Sequence, residues 1–138
     1  MNIRFAAPNE LSTLADMTRQ LFEDEPSNKT LTPAQFEDRL RDYLAAGCRA
    51  FVFIEDTVVG YALVNVNRTP GYLIDFFICR GRRRGGSGTT AFNLLLRELN
   101  TEALDLDVFC WNSRARKFWE SLGFEEMAII MRRTPPSK

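Results

Sequence analysis

The feature that most limits the fold of this chain is an apolar strand that leads into a basic, glycine-rich turn and then into a helix. Residues 72–79 are almost entirely apolar, as expected of a strand covered on both faces of a sheet. The turn that follows, which we call the arginine–glycine turn, reads Arg82-Arg83-Arg84-Gly85-Gly86-Ser87-Gly88. Beyond it, apolar residues at helical spacing predict a helix to about residue 99. This succession indicates an α/β domain.

The remaining periodicity predicts the element order β-α-α-β-β-β-α-β-α-β, with a mixed sheet, in one domain that spans residues 1–138. Two helices are predicted before the second strand, one after the arginine–glycine turn, and one after Asn112, which is placed to cap it. Besides 72–79, strands are predicted at 2–6, 50–54, 58–66, 104–109 and 127–131.

Composition excludes several classes of function. The chain has no histidine, which rules out Ser-His-Asp and Cys-His catalysis and zinc sites built on histidine. Its three cysteines are an odd number without short metal-type spacing, so we expect reduced thiols, no metal and a cytoplasmic location. No apolar run approaches the ~20 residues that cross a bilayer, and no secretory h-region follows Met1. A membrane is therefore not an expected partner.

The arginine–glycine turn predicts an anion-binding site. Glycines let backbone N–H groups approach a ligand closely, and the following helix presents unpaired N–H groups at the positive end of its dipole. Together they suit a phosphate, and the arginines add charge and paired donors. A nucleic-acid patch is the alternative, but 18 basic and 18 acidic residues give zero net charge, which argues against nucleic acid as a partner.

The residues of the turn narrow the kind of phosphate ligand. They lack the Gly-x-x-x-x-Gly-Lys-Ser/Thr run of nucleoside triphosphatases. Residues 86–91 do match the Gly-x-Gly-x-x-Ala fingerprint of dinucleotide-binding folds, and Asp105 and Asp107 lie near the offset of the ribose-binding acid. That alternative stays open, although several elements precede the turn and only about fifty residues follow it, too few for a full doubly wound sheet.

Two motifs make the chain resemble the GNAT superfamily of N-acetyltransferases. The family's cofactor motif, R/Q-x-x-G-x-G/A, is matched by Arg83, Gly86 and Gly88. The downstream signature N-x-x-A-x-x-aromatic-aromatic-x-x-L-G-F is matched by residues 112–124. The resemblance covers about residues 50–126 by motif and the whole chain by element order. It implies a mixed, mostly antiparallel sheet with helices on both faces.

The resemblance also implies acetyl-CoA as acyl donor and coenzyme A as product. In the family, the fourth strand lies beside the pantetheine arm, its backbone polarises the thioester carbonyl, and the turn after it binds the diphosphate. Asn112 would face the cofactor near the separated ends of the fourth and fifth strands. The implied cofactor-binding residues are Phe76, Phe77, Ile78, Arg83, Arg84, Gly85, Gly86, Ser87, Gly88, Thr89 and Asn112.

For the chemistry, the resemblance implies direct attack of an amine on the thioester. An amine with a pKa of about 10.4 must first lose a proton, and Asp75, on the strand beside the cofactor, is the candidate base. The alternatives for Asp75 are a carboxylate that binds the substrate and a paired acid within the strand. The family's tyrosine, the acid for the leaving thiolate, is replaced by Trp119, whose indole does not ionise usefully. Cys110 is the candidate catalytic group in its place, with Tyr61, Tyr72 and solvent as alternatives.

The sequence thus predicts an N-acetyltransferase whose acceptor is a small-molecule or peptide amine. Glu23, Asp24 and Glu25 are placed to attract such a cation, although a solvated helix end explains them equally well. The alternative is a catalytically weak sensor or interaction module of the same fold that binds acyl-CoA. A homodimer is also predicted, because only one strand is expected after Gly123, where many relatives have two.

Overall fold

The computed structural model describes residues 1–25 and 30–137. They form two compact units, Met1–Asp107 and Val108–Lys138. The strands of the first unit are β1 (Asn2–Phe5), β2 (Arg49–Glu55), β3 (Thr57–Asn65), β4 (Gly71–Ile78) and β5 (Leu104–Asp105). Its helices are α1 (Leu11–Asp24), α2 (Pro33–Ala45) and α3 (Ser87–Leu99). The described part of the second unit has one helix, α4 (Ser113–Ser121). That residues 1–138 act as a single domain stays a prediction.

The sheet has the order β1-β2-β3-β4-β5, and it is mostly antiparallel, as the family resemblance implies. Only β5 joins in parallel, through the pairs Gly71↔Leu104 and Tyr72↔Asp105. A parallel pair needs a crossover connection, and α3 lies in that connection. This order is not the doubly wound parallel sheet that the dinucleotide-binding alternative requires. Because β5 is so short, the edge of β4 beyond Tyr72 is not covered by β5.

The residues Thr32-Pro33-Ala34-Gln35 have the pattern of a capping box with proline at the first helical position, and they set the start of α2. The Thr32 Oγ1 accepts a hydrogen bond from the Gln35 N–H at 3.2 Å, and the Gln35 Oε1 accepts one from the Thr32 N–H at 2.8 Å. Pro33 occupies the first helical position, where its missing N–H costs nothing. The capping box therefore satisfies donors that the helix itself cannot.

The sheet carries a packed layer on each face. On one face, α1 and α2 pack on the strands, and the buried side chains include Leu14, Met17, Phe36, Leu40, Val52, Tyr61, Leu63 and Phe77. On the other face, the Phe76 ring lies 5.7 Å from that of Phe53 and 6.3 Å from that of Phe92 on α3. Neighbouring residues of β4 thus point into two apolar layers, which explains why the strand is almost entirely apolar apart from Asp75.

Two predicted strands differ from the structure. The strand predicted at 104–109 ends at Asp105, and no helix or strand occurs in residues 124–137, so the strand predicted at 127–131 is wrong. The large apolar side chains of that segment are 81–90% exposed. A strand is stable only where a neighbouring backbone takes its hydrogen bonds, and the described residues give 127–131 no such neighbour. Apolar composition alone therefore misleads here.

Gly60 on β3 lies too close to β4 to carry a side chain. An added Cβ would lie 2.3 Å from the Phe77 carbonyl oxygen and 2.9 Å from Ile78 Cδ1. We expect Gly60→Ala to lower the free energy of unfolding by about 1–3 kcal/mol, as overpacked sites do, in urea denaturation. Gly81→Ala is the control, because a Cβ there meets nothing within 4 Å. Equal losses in the two variants would contradict this close packing.

Candidate active site

The arginine–glycine turn joins β4 to α3 through two successive left-handed residues. Gly85 has a φ of 74° and Gly86 a φ of 79°, a region where other residues are strained. A Cβ at either position would meet no atom of the described residues within 4 Å. The need for glycine therefore comes from the backbone, and the space in front of the turn is open to a ligand.

The helix α3 begins at Ser87, within the arginine–glycine turn, and no described side chain caps it. Gly86 is the N-cap residue, and its carbonyl oxygen accepts from the Thr90 N–H at 3.0 Å. The N–H groups of the first turn, on Ser87, Gly88 and Thr89, have no partner within a helix. These donors and the positive end of the helix dipole together suit an anion.

The four arginines in and beside the turn divide into two pairs. The Arg80 Nε and Nη2 lie 3.2 and 2.9 Å from the Asp24 Oδ1, and the Arg83 Nη2 lies 2.6 Å from the Asp24 Oδ2. We call this arrangement the Asp24 clamp. Arg82 and Arg84 are exposed and form no ion pair with another described residue. The positive charge left for an external anion therefore lies mainly on Arg82 and Arg84.

Arg83 is also fixed to the end of β4. Its Nε donates to the Ile78 carbonyl oxygen at 2.7 Å, and its guanidinium lies 5.1 Å from the centre of the Phe77 ring. Burial of the Asp24 carboxyl acts to raise its pKa, but hydrogen bonds from Arg83 and Arg80 outweigh burial and lower the pKa below its ordinary value. The clamp is therefore an ion pair at neutral pH.

The β4 residues predicted to lie beside the cofactor are found at the carboxyl end of the strand, next to the turn. Phe77 and Ile78 are buried and Phe76 is half-buried. β4 pairs with β3 from Tyr72 to Ile78, whereas β5 reaches only Gly71 and Tyr72. The edge of β4 that leads into the arginine–glycine turn is thus the edge that β5 leaves uncovered.

Asp75, the predicted base, lies in a buried polar network. It is 4% exposed. The Arg39 Nη1 and Nη2 donate to its Oδ2 and Oδ1 at 2.7 and 2.9 Å, and the Tyr61 hydroxyl donates to Oδ2 at 3.0 Å. The Tyr61 hydroxyl oxygen also lies 2.7 Å from the Thr18 Oγ1. A carboxylate offers about four lone-pair positions, so the three contacts made by the described residues leave one, on Oδ1.

Arg39 and Tyr61 complete this network. The Arg39 guanidinium lies 5.2 Å from the centre of the Phe22 ring and 5.1 Å from that of Tyr43, so two ring faces and a bidentate carboxylate hold it. Burial, followed by the charge of Asp75, raises the pKa of Tyr61 well above its ordinary value. The phenol therefore stays protonated and donates to the carboxylate.

The sequence pattern does not predict Arg39 or Thr18 as members of this network. A signal was present for Thr18, which lies at an apolar position of the α1 pattern and is fully buried. A buried hydroxyl needs a hydrogen-bond partner, and Tyr61 supplies it. No comparable local signal marks Arg39, because its partner is on a distant strand.

The three acidic residues at the end of α1 have different surroundings. Glu23 pairs with Arg19 at 2.7 Å, and Asp24 belongs to the clamp. Glu25 is half-buried, and burial first, then the charges of Asp75 and Asp24, raise its pKa. These three acidic residues are therefore not simply a solvated helix end. That they attract a cationic amine stays a prediction.

Asn112 and Cys110 belong to the second unit. The Asn112 Oδ1 accepts from the Ala115 N–H at 3.1 Å, which confirms its predicted role as a helix cap. Cys110 has an exposed, free thiol. Trp119, which stands in place of the family's tyrosine, packs edge-on against Phe124 with ring centres 5.3 Å apart. The roles of Asn112 toward a cofactor and of Cys110 in catalysis stay predictions.

Removing the Arg39 side chain should leave the buried Asp75 carboxylate without its positively charged partner. We expect Arg39→Leu to lower the free energy of unfolding by about 3–5 kcal/mol, the usual cost of an unpaired buried charge. Arg41→Leu is the control on the same helix, because its ion pairs are exposed and worth less than about 1 kcal/mol. Urea denaturation measures both losses. A small, equal loss would show that the Asp75 network does not stabilise the fold.

The described residues contain no group of histidine, cysteine, aspartate or glutamate side chains that could hold a metal ion. None of the helices in the same residues is long and apolar enough to cross a membrane.

Solved structures share this fold. A mutant of the BH1408 protein from Bacillus halodurans is 23% identical, with a TM-score of 0.74 over 99% of this chain and 100% of that chain. The aminoglycoside antibiotic 6'-N-acetyltransferase of Acinetobacter haemolyticus is 16% identical, with a TM-score of 0.73 and all of both chains covered. A predicted acetyltransferase from Clostridium acetobutylicum, solved with acetyl-CoA, is 17% identical, with a TM-score of 0.71 over 96% of this chain and 95% of that chain.

The comparison with protein families agrees with the fold. No curated protein sequence matches the chain, but the model of the acetyltransferase (GNAT) family matches residues 14–124. The match includes α1 from residue 14 onward, the network around Asp75, and the arginine–glycine turn. The chain therefore belongs to the GNAT acetyltransferase family.

Proposed function

We propose that this protein is an N-acetyltransferase that moves the acetyl group of acetyl-CoA to a primary amine by direct attack. Family membership supports acetyl transfer in general. The similar Clostridium acetobutylicum protein, solved with acetyl-CoA, supports this donor. The similar Acinetobacter haemolyticus protein is an N-acetyltransferase of aminoglycosides, which supports a nitrogen acceptor.

The observation that carries the proposal is the pair of left-handed glycines that opens onto free space at an uncapped helix N-terminus. These residues fit the diphosphate of coenzyme A. The N–H groups of Ser87, Gly88 and Thr89 are available to donate to it, and the exposed Arg82 and Arg84 add positive charge. Glycine at both turn positions keeps side-chain bulk out of the space that the diphosphate would fill.

When bound, acetyl-CoA supplies an activated acyl group as a thioester. The edge of β4 beyond Tyr72, with Phe76, Phe77 and Ile78, would lie along the pantetheine arm. Asn112 is proposed to face the cofactor while it caps α4. In this arrangement the turn fixes one end of the donor and β4 aligns the rest, which supplies the orientation that a bimolecular transfer needs.

The acceptor ammonium has an ordinary pKa of about 10.4 and must lose a proton before it attacks. Asp75 is the proposed base. Its remaining lone pair on Oδ1 and its 4% exposure favour proton transfer through a water molecule. Cys110 is the proposed acid that gives a proton to the leaving thiolate of coenzyme A. That thiolate needs little help to leave, because a thiol has an ordinary pKa of about 8.5.

The second candidate is a catalytically weak acyl-CoA sensor or interaction module of the same fold. Two observations favour it: three of about four acceptor positions on Asp75 are occupied, and Trp119 stands where the family has tyrosine. An enzyme and a sensor would share the cofactor site and differ in turnover.

The remaining partners form part of the same proposal. The acceptor is a small-molecule or peptide amine, and the protein acts in the cytoplasm without nucleic acid or membrane as a partner. The homodimer predicted from the sequence is also proposed. Its support is the apolar segment 127–131, which is exposed within the chain.

Release of the coenzyme A thiol from acetyl-CoA distinguishes the enzyme from the sensor. The protein is incubated with acetyl-CoA and, in turn, alkyl monoamines, diamines, aminoglycosides, amino acid esters and peptides with free N-termini. Thiol release above the rate without amine supports the transferase. Binding of acetyl-CoA without amine-dependent release supports the sensor, and a lack of binding contradicts both.

Gly86→Asp should weaken acetyl-CoA binding by at least about tenfold, equal to about 1.4 kcal/mol. The substitution places a strained, negatively charged side chain where the diphosphate would lie. Titration calorimetry measures the Kd of each folded variant. Gly81→Asp is the control, because it adds the same charge at an open position outside the left-handed region. Wild-type affinity in folded Gly86→Asp would show that the diphosphate does not bind at this turn.

A further inference from the structure

We propose that Asp24 is a positioning residue for the cofactor: it holds Arg83 so that the arginine–glycine turn is preorganised for the diphosphate. The inference rests on the proposed function and deepens it. It assigns a role in binding to the last residue of α1, which is 59 positions from Arg83 in sequence.

The Asp24 clamp uses both oxygens of one carboxylate for two arginines. Oδ1 accepts from Arg80 and Oδ2 accepts from Arg83, so each guanidinium has its own oxygen. The Asp24 side chain is 27% exposed and that of Arg83 is 33% exposed. Solvent and salt therefore screen this contact less than a contact on the open surface.

Within the described residues, three contacts hold the Arg83 side chain, and Asp24 is the only charged partner among them. The other two are the Ile78 carbonyl oxygen and the Phe77 ring, both on β4. These two contacts join Arg83, the first residue of the cofactor motif, to the end of β4. The contact with Asp24 joins it to the end of α1. The backbone from Arg83 to Gly86 is thereby fixed at its start, just before its two left-handed residues.

A carboxylate beside an anion site has two opposing effects. Its charge reduces the attraction for a diphosphate, whereas its hydrogen bonds remove the need to order two long side chains during binding. The sequence places two further arginines, Arg82 and Arg84, in the turn without such a partner in the described residues. Because these keep the turn positive, we expect the ordering effect of Asp24 to exceed its repulsion.

Titration calorimetry with acetyl-CoA tests the sign of this balance. We expect Asp24→Asn to raise the Kd by about three- to tenfold, because Arg83 loses its charged anchor. Asp38→Asn is the matched control, since it makes the same change in an exposed ion pair with Arg41 on α2, and should leave the Kd unchanged. An unchanged or lower Kd in Asp24→Asn would overturn the proposal, the lower value meaning that Asp24 competes with the diphosphate.

A double-mutant cycle with Arg83→Gln separates positioning from a general effect on the fold. If Asp24 acts through Arg83, adding Asp24→Asn to Arg83→Gln should change the Kd by less than about twofold, so that the two effects are not additive. Fully additive effects would contradict an action through Arg83. If Asp24 only stabilised the fold, Asp24→Asn would have a lower melting temperature, but its effect on the Kd would not depend on whether Arg83 is present.

A second variant decides the matter if Asp24→Asn does not fold. Asp24→Glu keeps the charge and displaces the carboxylate by one methylene, so weaker binding supports positioning and unchanged or tighter binding overturns it. The wild type separates the two proposals. If it does not bind acetyl-CoA, the proposed function and this inference both fail; if it binds and the Asp24 variants match it, only the positioning role fails.

Discussion

The site depends on a backbone constraint, which is that two successive residues between β4 and α3 adopt the left-handed conformation. Glycine tolerates this conformation without strain, so Gly85 and Gly86 determine where α3 begins and which way its first N–H groups point. In the part of the chain that the structure describes, no side chain caps those groups, and no atom lies within 4 Å of a Cβ placed at either glycine. Side chains usually accept hydrogen bonds from the first N–H groups of a helix. At the start of α3 these N–H groups are available to a ligand instead.

Two polar contacts hold the neighbouring elements around that turn. The network of Arg39, Tyr61 and Thr18 around Asp75 joins α1 and α2 to β4, and the Asp24 clamp joins the end of α1 to the turn. Both use carboxylates for which the sequence also predicts a chemical role, Asp75 as a base and Asp24 in attracting the amine. The charged side chains at this site therefore stabilise the packing of the helices on the sheet. Any proton transfer by Asp75 must use the acceptor position that its existing hydrogen bonds leave free.

The parts of the fold that follow from local pattern could be predicted from sequence, and the parts that need a distant partner could not. Strand and helix order, the capped start of α2 and the position of the turn depend on spacing and on turn residues. The strand predicted at 127–131 failed because pairing depends on a neighbour. Likewise, the Asp24 clamp joins residues 56 and 59 positions apart, and the partner of Thr18 becomes visible only when α1 packs on the sheet.

The most direct test of the account is to follow the backbone amides while coenzyme A is added. In a nitrogen–proton correlation spectrum of the labelled protein, the signals of Gly86, Ser87, Gly88 and Thr89 should shift together, with one common Kd. The N–H groups of the last three would donate to the diphosphate, and Gly86 lies directly before them in the turn. Coenzyme A is used in place of acetyl-CoA because it carries no acetyl group and so cannot be turned over during the titration. If coenzyme A binds and these four signals stay in place, the diphosphate lies elsewhere and the central claim is wrong.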